Sequence, residues 1–436
     1  MNNPKDISPR QLSYNIIYKF LKSNLYLKEI YNEKVNALNN NNLLQKPFIK
    51  ELTTGSIRRF YEINYYINQL TDNNKKINEK VLSILLLGIY QLKYMDNVPD
   101  YAAISTSVDI AKVNTKGKHK FVNAILRKIS NNSNINNIPD YFKYSFPKWF
   151  YDFLQSEYPE NTLKKLLTEF NKKPKNWIRI DKKQQHVIIE LEKNNIEYTQ
   201  FKDNSKYLEV KSINNTIIHD FIRKGYIYVQ SPSSGFIIDL LSPKSHNKIL
   251  DACSAPGGKL IDIINRTSYK TTIGLEISKE RFSKMLENFE KLYINTSNLK
   301  KIDFFEYNTS KFDKILLDVP CSSTGTISKN PDIRIRRKKN DFILFKSLQL
   351  KMLSHAAKLL NSNGSIIYST CSICKCENWD VVNEFLLSNT NFKIINANNY
   401  INKKYVDSKG ALNILPHIHK LDGMFAVKLK KNEINT

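Results

Sequence analysis

The chain has 436 residues, a length typical of about three domains. Lysine and arginine number 67 against 41 aspartate and glutamate residues, which gives a formal net charge of +26 at pH 7. With 41% hydrophobic and 25% charged residues, this composition excludes a collagen, a disordered chain and a small disulfide scaffold. So large a positive excess favours an anionic partner, with nucleic acid the first expectation and an anionic membrane surface the weaker one.

Cysteine content and the amino-terminal residues indicate a cytoplasmic protein. Five cysteines are few and odd in number, which argues against a disulfide framework. The first ten residues, MNNPKDISPR, are polar and lack the apolar core of a signal peptide. The longest apolar stretch, residues 82–90, is far shorter than the ~20 residues that cross a bilayer. The sequence therefore predicts no membrane partner.

Residues 1–140 are predicted to form an all-α domain. Apolar residues recur there at helical intervals, and polar breaks such as DNVPD at 96–100 separate the segments. The predicted helices cover 11–25, 57–70, 81–94, 104–111 and 121–129. Five or so short amphipathic helices favour a compact helical bundle in which the apolar positions are core.

Residues 141–225 are predicted to form a small α+β region that links two larger domains. Short strands are predicted at 177–180, 207–210 and 217–218, and a helix at 185–193.

From residue 226 to 436 the pattern changes to an alternation of strands and helices. The predicted strands are 248–251, 272–276, 313–318 and 365–370. This alternation is typical of a doubly wound, mostly parallel α/β sheet, whose ligand binds at the carboxyl ends of the strands.

The first candidate site is the segment DACSAPGGK at 251–259, between a predicted strand and a predicted helix. Its two adjacent glycines let the backbone approach a ligand, and the helix start offers free N–H groups. The spacing matches neither a P-loop nor GxGxxG. Glu276 ends the next strand, where an acid can bind both ribose hydroxyls of an adenosine cofactor.

Two cysteines, Cys321 and Cys371, follow neighbouring predicted strands, and Asp318 lies just before the first of them. A single cysteine is more often a small buried hydrophobe than a reactive group. Two at adjacent strand ends are expected to face one crevice, and a thiolate is the group that attacks an electron-poor ring carbon. No metal site is predicted at Cys371, Cys374 and Cys376, because no fourth ligand lies nearby.

These motifs resemble those of RNA cytosine-5 methyltransferases. The resemblance rests on DACSAPGGK at 251–259, LDVPCSSTG at 317–325, NPDI at 330–333, YSTCS at 368–372 and ENW at 377–379. Within that group the chain is similar to the RsmB/Sun (Fmu) enzymes, which methylate bacterial 16S ribosomal RNA. Residues 54–58, 88–92 and 122–128 resemble their NusB-like helical domain. The implied fold is therefore a NusB-like all-α domain, a small α+β region and a Rossmann-like class I methyltransferase domain.

The resemblance implies S-adenosylmethionine as the cofactor. Its methionine end would be held by the loop Cys253, Ser254, Ala255, Pro256, Gly257, Gly258 and Lys259. Glu276 would hold the ribose, in place of the family's more usual aspartate, and Asp303 would lie at the adenine. Asp318 would face both the cofactor and the target base.

The same resemblance implies Cys371 as the nucleophile and Cys321 as the group that assists product release. The family's target is the cytosine at position 967 of 16S ribosomal RNA, as free RNA or in a partly assembled small subunit. A DNA substrate is not expected. DNA enzymes attack with the cysteine of the PC motif, which corresponds to Cys321 here, whereas the implied nucleophile of this chain is Cys371. A monomer is the default expectation. Two alternatives stay open: the same chemistry on transfer RNA or another ribosomal cytosine, and a non-catalytic RNA-binding assembly or antitermination factor.

Two further segments carry expectations. The basic run at 334–339, RIRRKK, is interpreted as either a clamp for RNA phosphates or a solvated helix entry. The turn VQSPSSG at 229–235 lacks the acid of the family's VQDxSAQ, which puts contacts from that turn in doubt.

Overall fold

The computed structural model describes residues 7–36, 45–71, 77–131 and 137–432. They form two compact units. The helical unit comprises the residues up to Lys173 together with Ile327–Arg337, and the sheet unit comprises Pro174–Thr326 together with the residues from Lys338 onward. The division of the chain into domains at 1–140, 141–225 and 226–436 stays a prediction.

The helical unit consists of α-helices, as predicted, and its helices up to Ser130 share one apolar core. Its helices are α1 Pro9–Lys22, α2 Leu27–Asn36, α3 Lys46–Arg58, α4 Phe60–Leu70, α5 Glu79–Tyr94, α6 Asp100–Asn114, α7 His119–Ser130, α8 Asp140–Lys143, α9 Lys148–Glu157, α10 Glu160–Phe170 and the late helix α16 Ile333–Arg336.

Helix α5 is the central helix of this core. Its amino terminus is capped by Asn78, whose side chain accepts a hydrogen bond from the backbone N–H of Val81. Gly88 lets α7 approach closely, since a Cβ at this position would lie 2.7 Å from a methyl carbon of Leu126. No helix in the described ranges has both the length and the apolar composition of a membrane-spanning segment.

Segment 327–337 follows the PC motif in sequence, yet it is part of the helical unit. Its Arg334 is 1% exposed, and the ring of Phe146 lies 4.4 Å from its guanidinium carbon. Arg336 donates to the carbonyl oxygen of Phe20 at 2.7 Å. Arg334 donates to the carbonyl oxygens of Arg58, Tyr144, Ser145 and Phe170 and to the side chain of Asn171, at 2.8–3.3 Å.

The interpretation of the basic run as a phosphate clamp is therefore wrong for Arg334 and Arg336, which are structural. Lys338 and Lys339, by contrast, are exposed. A guanidinium binds converging carbonyl oxygens at helix ends by the same charge attraction with which it binds phosphate. A cluster of basic residues in the sequence does not distinguish these two partners.

Substitution of Arg334 by methionine is expected to destabilise the helical unit by about 3 kcal/mol or more. The change leaves several buried carbonyl oxygens without donors, and each such loss costs about 1–3 kcal/mol. Hydrogen exchange read by mass spectrometry on peptides from α1 to α10 measures the effect. Arg127, exposed on α7, provides the control Arg127→Met. Equal protection in both variants would contradict a structural role for Arg334.

The sheet unit begins with a four-stranded antiparallel sheet, in the order β2-β3-β1-β4. Its elements are β1 Asn176–Ile180, α11 Gln184–Lys193, β2 Tyr198–Gln200, β3 Tyr207–Val210, α12 Thr216–Arg223 and β4 Ile227–Val229. The predicted strand at 217–218 is wrong, because these residues lie in α12. Asn215 caps that helix, and Ile218 and Phe221 place its apolar face inward.

The second sheet of this unit has eight strands in the order β10-β12-β9-β8-β5-β6-β7, with β11 paired to β12. Its strands are β5 Ile249–Asp251, β6 Thr272–Glu276, β7 Leu299–Lys301, β8 Phe312–Asp318, β9 Leu360–Thr370, β10 Phe392–Ile395, β11 Leu412–Ile414 and β12 Met424–Lys431. The accompanying helices are α13 Pro232–Leu241, α14 Gly258–Arg266, α15 Lys279–Lys291, α17 Lys339–Lys358, α18 Trp379–Ser388 and α19 Pro416–His419.

Strands β7, β6, β5, β8 and β9 are parallel neighbours, and β12 joins β9 in the antiparallel direction. The chain leaves β5 towards β6 and β7 and then returns to β8 on the other side of β5. The strand order therefore reverses between β5 and β8, where ligands of doubly wound folds bind. This architecture confirms the predicted fold class.

Candidate active site

The predicted site residues follow the carboxyl ends of adjacent parallel strands. Asp251 ends β5, Glu276 ends β6 and Asp318 ends β8, while Asp303 lies two residues after β7 and Cys371 follows β9 directly. Because these strands are neighbours in one sheet, the structure places all five positions along one edge.

The loop 253–259 connects β5 to α14 and is tied to β6. The backbone N–H of Ser254 donates to the carbonyl oxygen of Leu275 at 2.9 Å, and its hydroxyl donates to the carbonyl oxygen of Asp251 at 2.8 Å. Gly257 has φ +102°, a left-handed conformation, at the N-cap of α14. The loop therefore turns sharply and presents the start of a helix to the strand-end edge.

Asp251 is 1% exposed. Neither of its carboxylate oxygens completes a hydrogen bond of normal geometry with a described residue. Burial, and then the charge of Asp318, raises the pKa of Asp251 to about 7. An unmatched carboxylate at this position is the kind of group that a cationic ligand would satisfy.

The carboxylates of Glu276 and Asp303 differ in the number of contacts that they make within the protein. Glu276 is 3% exposed, and one oxygen accepts the backbone N–H of Ser278 at 2.9 Å, while Arg281 lies 3.5 Å from the other. Asp303 is partly buried and accepts the backbone N–H of Phe305 at 3.0 Å. Each carboxylate keeps acceptor capacity for a further donor.

Asp318 is held between two side chains. Lys259 Nζ lies 2.7 Å from Oδ2, and the hydroxyl of Ser369 donates to Oδ1 at 2.9 Å. Burial by itself would lower the pKa of Lys259, but the neighbouring Asp318 carboxylate raises it above its ordinary value. A protonated lysine therefore links the candidate cofactor loop to the end of β8.

The sulfur atoms of Cys321 and Cys371 are 3.3 Å apart, and Cys371 Sγ lies 3.4 Å from the hydroxyl of Ser323. The hydrogen bond between Cys371 and Cys321, followed by the one between Cys371 and Ser323, lowers the pKa of Cys371 despite its burial. The same sulfur contact and burial raise the pKa of Cys321 well above its ordinary value. Of the two thiols, Cys371 is therefore the one that loses its proton more readily.

The loops that carry the two cysteines are bonded to each other. The backbone N–H of Gly325 donates to the carbonyl oxygen of Cys371 at 2.8 Å, and the hydroxyl of Thr324 accepts the backbone N–H of Ile373 at 3.0 Å. A Cβ at Gly325 would lie 2.6 Å from the carbonyl oxygen of Gly423, so only glycine permits this approach. The sulfur contact is therefore fixed by backbone packing.

A supporting residue outside the predicted set is Arg179, on β1. Its buried guanidinium donates to the carbonyl oxygen of Gly258 at 3.1 Å, to Asp181 at 2.5 Å and to the side chain of Gln230. Gln230 belongs to the turn 229–235 whose missing acid put its contacts in doubt. That turn does support the start of α14.

Within the described ranges, no group of three or more histidine, cysteine, aspartate and glutamate side chains has the arrangement of a metal site. Cys374 is buried and contacts the hydroxyl of Thr324 at 3.5 Å. Burial raises the pKa of Cys253 far above its ordinary value, so this thiol stays protonated.

Family models match the chain in three consecutive parts. The NusB family matches residues 7–131, a ferredoxin-like domain of RsmF/B-like methyltransferases matches 146–213, and the model described as 16S rRNA methyltransferase RsmB/F matches 238–430. The third match spans all the strand-end residues described above.

Similar proteins extend over nearly the full length. A probable ribosomal RNA small subunit methyltransferase B of Bacillus subtilis is 28% identical, with 94% of each chain covered. Ribosomal RNA small subunit methyltransferase B of Photorhabdus laumondii is also 28% identical, over 88% of this chain and 90% of the relative. The solved structure titled "Crystal Structure of PH0851" shares the fold, with a TM-score of 0.81, 20% identity, and coverage of 98% of this chain and 99% of that one.

A methyltransferase with this Rossmann-like fold takes its methyl group from S-adenosylmethionine, which confirms the predicted cofactor. The strand-end site lies inside the matched methyltransferase region, and the helical part inside the matched NusB region. The chain belongs to the RsmB/F family of methyltransferases, with a NusB domain and a ferredoxin-like domain ahead of the catalytic domain.

Proposed function

We propose that this protein methylates C5 of a specific cytosine in 16S ribosomal RNA through a covalent bond between Cys371 and C6 of the base. The observation that carries the proposal is the pair of sulfurs 3.3 Å apart beside the Lys259–Asp318 ion pair of 2.7 Å. The relatives named ribosomal RNA small subunit methyltransferase B support the same substrate class.

The strand-end residues fit S-adenosylmethionine. The buried carboxylate of Asp251, which lacks a completed hydrogen bond to any described residue, provides negative charge for a cationic ligand near the loop 253–259. Glu276 is suited to bind the ribose hydroxyls, and Asp303 to bind the adenine. When bound, this cofactor supplies an electrophilic methyl group to C5 of the base and leaves as S-adenosylhomocysteine.

The chain's own residues prepare the base for that transfer. The Cys371 thiolate forms a bond to C6, which breaks the C5=C6 π bond and moves its electron pair to C5. Asp318, placed by Lys259 and Ser369, bridges to N3 and the amino group of the base, and a proton held between its carboxylate and N3 neutralises the negative charge that develops on the ring. After C5 is methylated, a base takes the C5 proton, the electron pair of that C–H bond restores the C5=C6 double bond, and the C6–sulfur bond breaks to release the Cys371 thiolate. Cys321, next to the same sulfur, assists that release.

The RNA side of the proposal rests on charge and domain content. The net charge of +26 suits a phosphate backbone, and the NusB domain of residues 1–140 and the linking region 141–225 would hold RNA while residues 226–436 catalyse. The target cytosine must leave its stack to reach a thiol at the end of a strand. Free 16S RNA or a partly assembled small subunit would serve as the substrate, and the protein would act as a monomer.

Bisulfite sequencing of 16S RNA incubated with the protein and S-adenosylmethionine tests this function. We expect one protected cytosine, at the family's position, in the complete reaction and none without cofactor. If a cytosine of a transfer RNA or a different ribosomal cytosine became protected instead, the proposed substrate would be wrong and the proposed chemistry would stand. An RNA without any new 5-methylcytosine, whether free or in small-subunit particles, would favour the non-catalytic assembly factor.

Binding of the protein to a 16S fragment is expected to weaken by roughly 10³-fold between 50 and 200 mM salt. Each lysine or arginine that neutralises a phosphate releases counterions, and several such contacts produce this slope. Fluorescence anisotropy with labelled RNA and no cofactor measures the affinity. A flat salt response would contradict the role assigned to the basic surface.

Substitution of Asp251 by asparagine is expected to stabilise the ligand-free protein at pH 8 and to weaken its binding of S-adenosylhomocysteine. The folded-state pKa of Asp251, about 7, lies above the ordinary 3.8. Its contribution to stability is therefore fully present below about pH 4 and is lost as the pH rises through 7. The thermal unfolding temperature, measured between pH 5 and 8, should fall with rising pH in the wild type and fall less steeply in the variant.

Calorimetric titration with S-adenosylhomocysteine gives the second half of this test, with Asp380→Asn, on an exposed residue, as the control. If the asparagine variant bound the ligand as tightly as the control, Asp251 would have no part in the cofactor site.

A further inference from the structure

Glu377 is a buried carboxylate that contacts both cysteine loops and has no assigned role in the proposed chemistry. It is 0% exposed. Its Oε2 accepts the backbone N–H of Ser322 at 2.8 Å and the amide of Gln349 at 3.0 Å. Its Oε1 accepts the hydroxyl of Ser372 at 2.7 Å and the hydroxyl of Ser322. Ser322 follows Cys321 in the chain and Ser372 follows Cys371, so one carboxylate holds the residue next to each thiol.

The protonation state of this group follows from its partners. All four contacts are donors, and a carboxylic acid in place of the carboxylate would bring a fifth hydrogen to a site that already receives four. Burial of a charge is unfavourable unless hydrogen bonds match it, and here they do. The four donors are neutral groups, so among the described residues these hydrogen bonds hold the negative charge of Glu377 without neutralising it.

The charge of Glu377 bears on Cys321. After the contact with Cys371 and burial, this charge contributes to the raised pKa of Cys321. At Cys371 the contacts with Cys321 and Ser323 lower the pKa, whereas burial and the charge of Asp318 raise it, and Lys259 has a smaller lowering effect. The negative charge of Glu377 therefore disfavours a thiolate at Cys321 relative to Cys371.

We propose that Glu377 is a positioning residue: it ties the two cysteine loops together so that their sulfurs stay in contact, and it directs the shared proton to Cys321. The use made of the resulting Cys371 thiolate rests on the proposed function. The hydrogen bonds of Glu377 to the two loops and the position of the shared proton depend only on the geometry of the ligand-free protein. Both are therefore tested in the ligand-free protein.

The test is limited alkylation of the full-length, ligand-free protein with iodoacetamide, followed by mass spectrometry of the peptides that contain each cysteine. In this reaction a thiolate sulfur forms a bond to carbon and iodide leaves, so the label reports which cysteine carries the thiolate. The wild type is expected to be labelled at Cys371 several-fold faster than at Cys321, with the Cys371 rate rising at a pH below that of an ordinary thiol.

Glu377→Gln is expected to reduce this preference several-fold. The glutamine keeps the length of the side chain, but it loses the charge and turns an NH₂ group towards donors that need an acceptor. Glu377→Asp separates the effect of the charge from that of the hydrogen bonds, because aspartate keeps the charge but its shorter side chain does not span both loops. In this variant labelling should still favour Cys371, by a smaller ratio. Glu290→Gln, the same change on an exposed glutamate of α15, should leave the ratio unchanged.

A folded Glu377→Gln protein with the wild-type labelling ratio and pH profile would overturn the proposal. If Glu377→Gln does not fold, Ser372→Ala removes one donor and leaves the carboxylate; an unchanged ratio in that variant would overturn the proposal as well. A protein that shows the predicted ratios yet methylates no RNA would overturn the proposed function and leave the role of Glu377 standing.

Discussion

Substitution of Cys371 by alanine is expected to reduce methyl transfer to 16S RNA by roughly three orders of magnitude or more, because removal of a covalent nucleophile costs at least this much in enzymes that form such intermediates. Without the thiolate, C5 of cytosine keeps its aromatic electron distribution and does not react with a methyl sulfonium. Transfer of tritium from labelled S-adenosylmethionine to RNA measures the rate. Binding of S-adenosylhomocysteine should change little, because the sulfur of Cys371 lies at the end of β9, whereas the candidate cofactor loop follows β5.

Cys376→Ala is the matched control for this variant. It removes a thiol from the same loop, five residues further along the chain (376 − 371), and should keep wild-type activity. A Cys371→Ala protein that methylates RNA at a rate near that of the control would exclude Cys371 as the nucleophile and, with it, the proposed covalent route.

Cys321→Ala is expected to behave in the opposite way and to accumulate a covalent complex with RNA. In the proposed mechanism Cys321, whose sulfur lies 3.3 Å from that of Cys371, assists the breaking of the C6–sulfur bond, so its loss should stall the reaction after attack. A denaturing gel of protein mixed with RNA and cofactor should then show most of the protein shifted to the mass of the complex, against a barely detectable fraction for the wild type.

The double variant, Cys321→Ala with Cys371→Ala, should show no shifted band, because it has no nucleophile to form the bond. If the single Cys321→Ala protein turned over freely and left no adduct, the assignment of product release to Cys321 would be wrong. If it formed an adduct that persisted in the double variant, another residue would be the nucleophile.

The sequence was informative about the sheet that carries the site. A strand predicted at 272–276 is β6, Thr272–Glu276, and one predicted at 313–318 is β8, Phe312–Asp318. Short apolar runs between turns are typical of buried parallel strands, and strand ends in one sheet meet at one edge. The proximity of Cys321 and Cys371 therefore followed from their positions after neighbouring strands. The sequence does not predict which of the two thiols loses its proton first, because this depends on distances of a few ångströms.

The sequence was less informative about residues whose roles depend on contacts with distant parts of the chain. The partners of Glu377 lie 5, 28 and 55 residues away, and no local pattern brings them together. The ENW motif at 377–379 drew attention to this glutamate but not to its task. At 217–218 two adjacent isoleucines suggested a strand, and only the cap by Asn215 and the inward Phe221 indicate the helix. The run that contains Arg334 is open to two interpretations in the sequence, a phosphate clamp or a solvated helix entry, and neither is its role, because no local pattern identifies the backbone carbonyl oxygens that Arg334 binds.

The place of segment 327–337 has a consequence for how this protein is made. The amino-terminal helices leave the ribosome early, but Arg334 and its neighbours, which complete their core, come only after another 164 residues (337 − 173). At about 5–20 residues per second, this delay is roughly ten to thirty seconds. During that interval the nascent helices keep apolar surface and helix-end carbonyl groups uncovered. The helices up to Lys173 are therefore unable to reach their final stability until residue 337 has been synthesised.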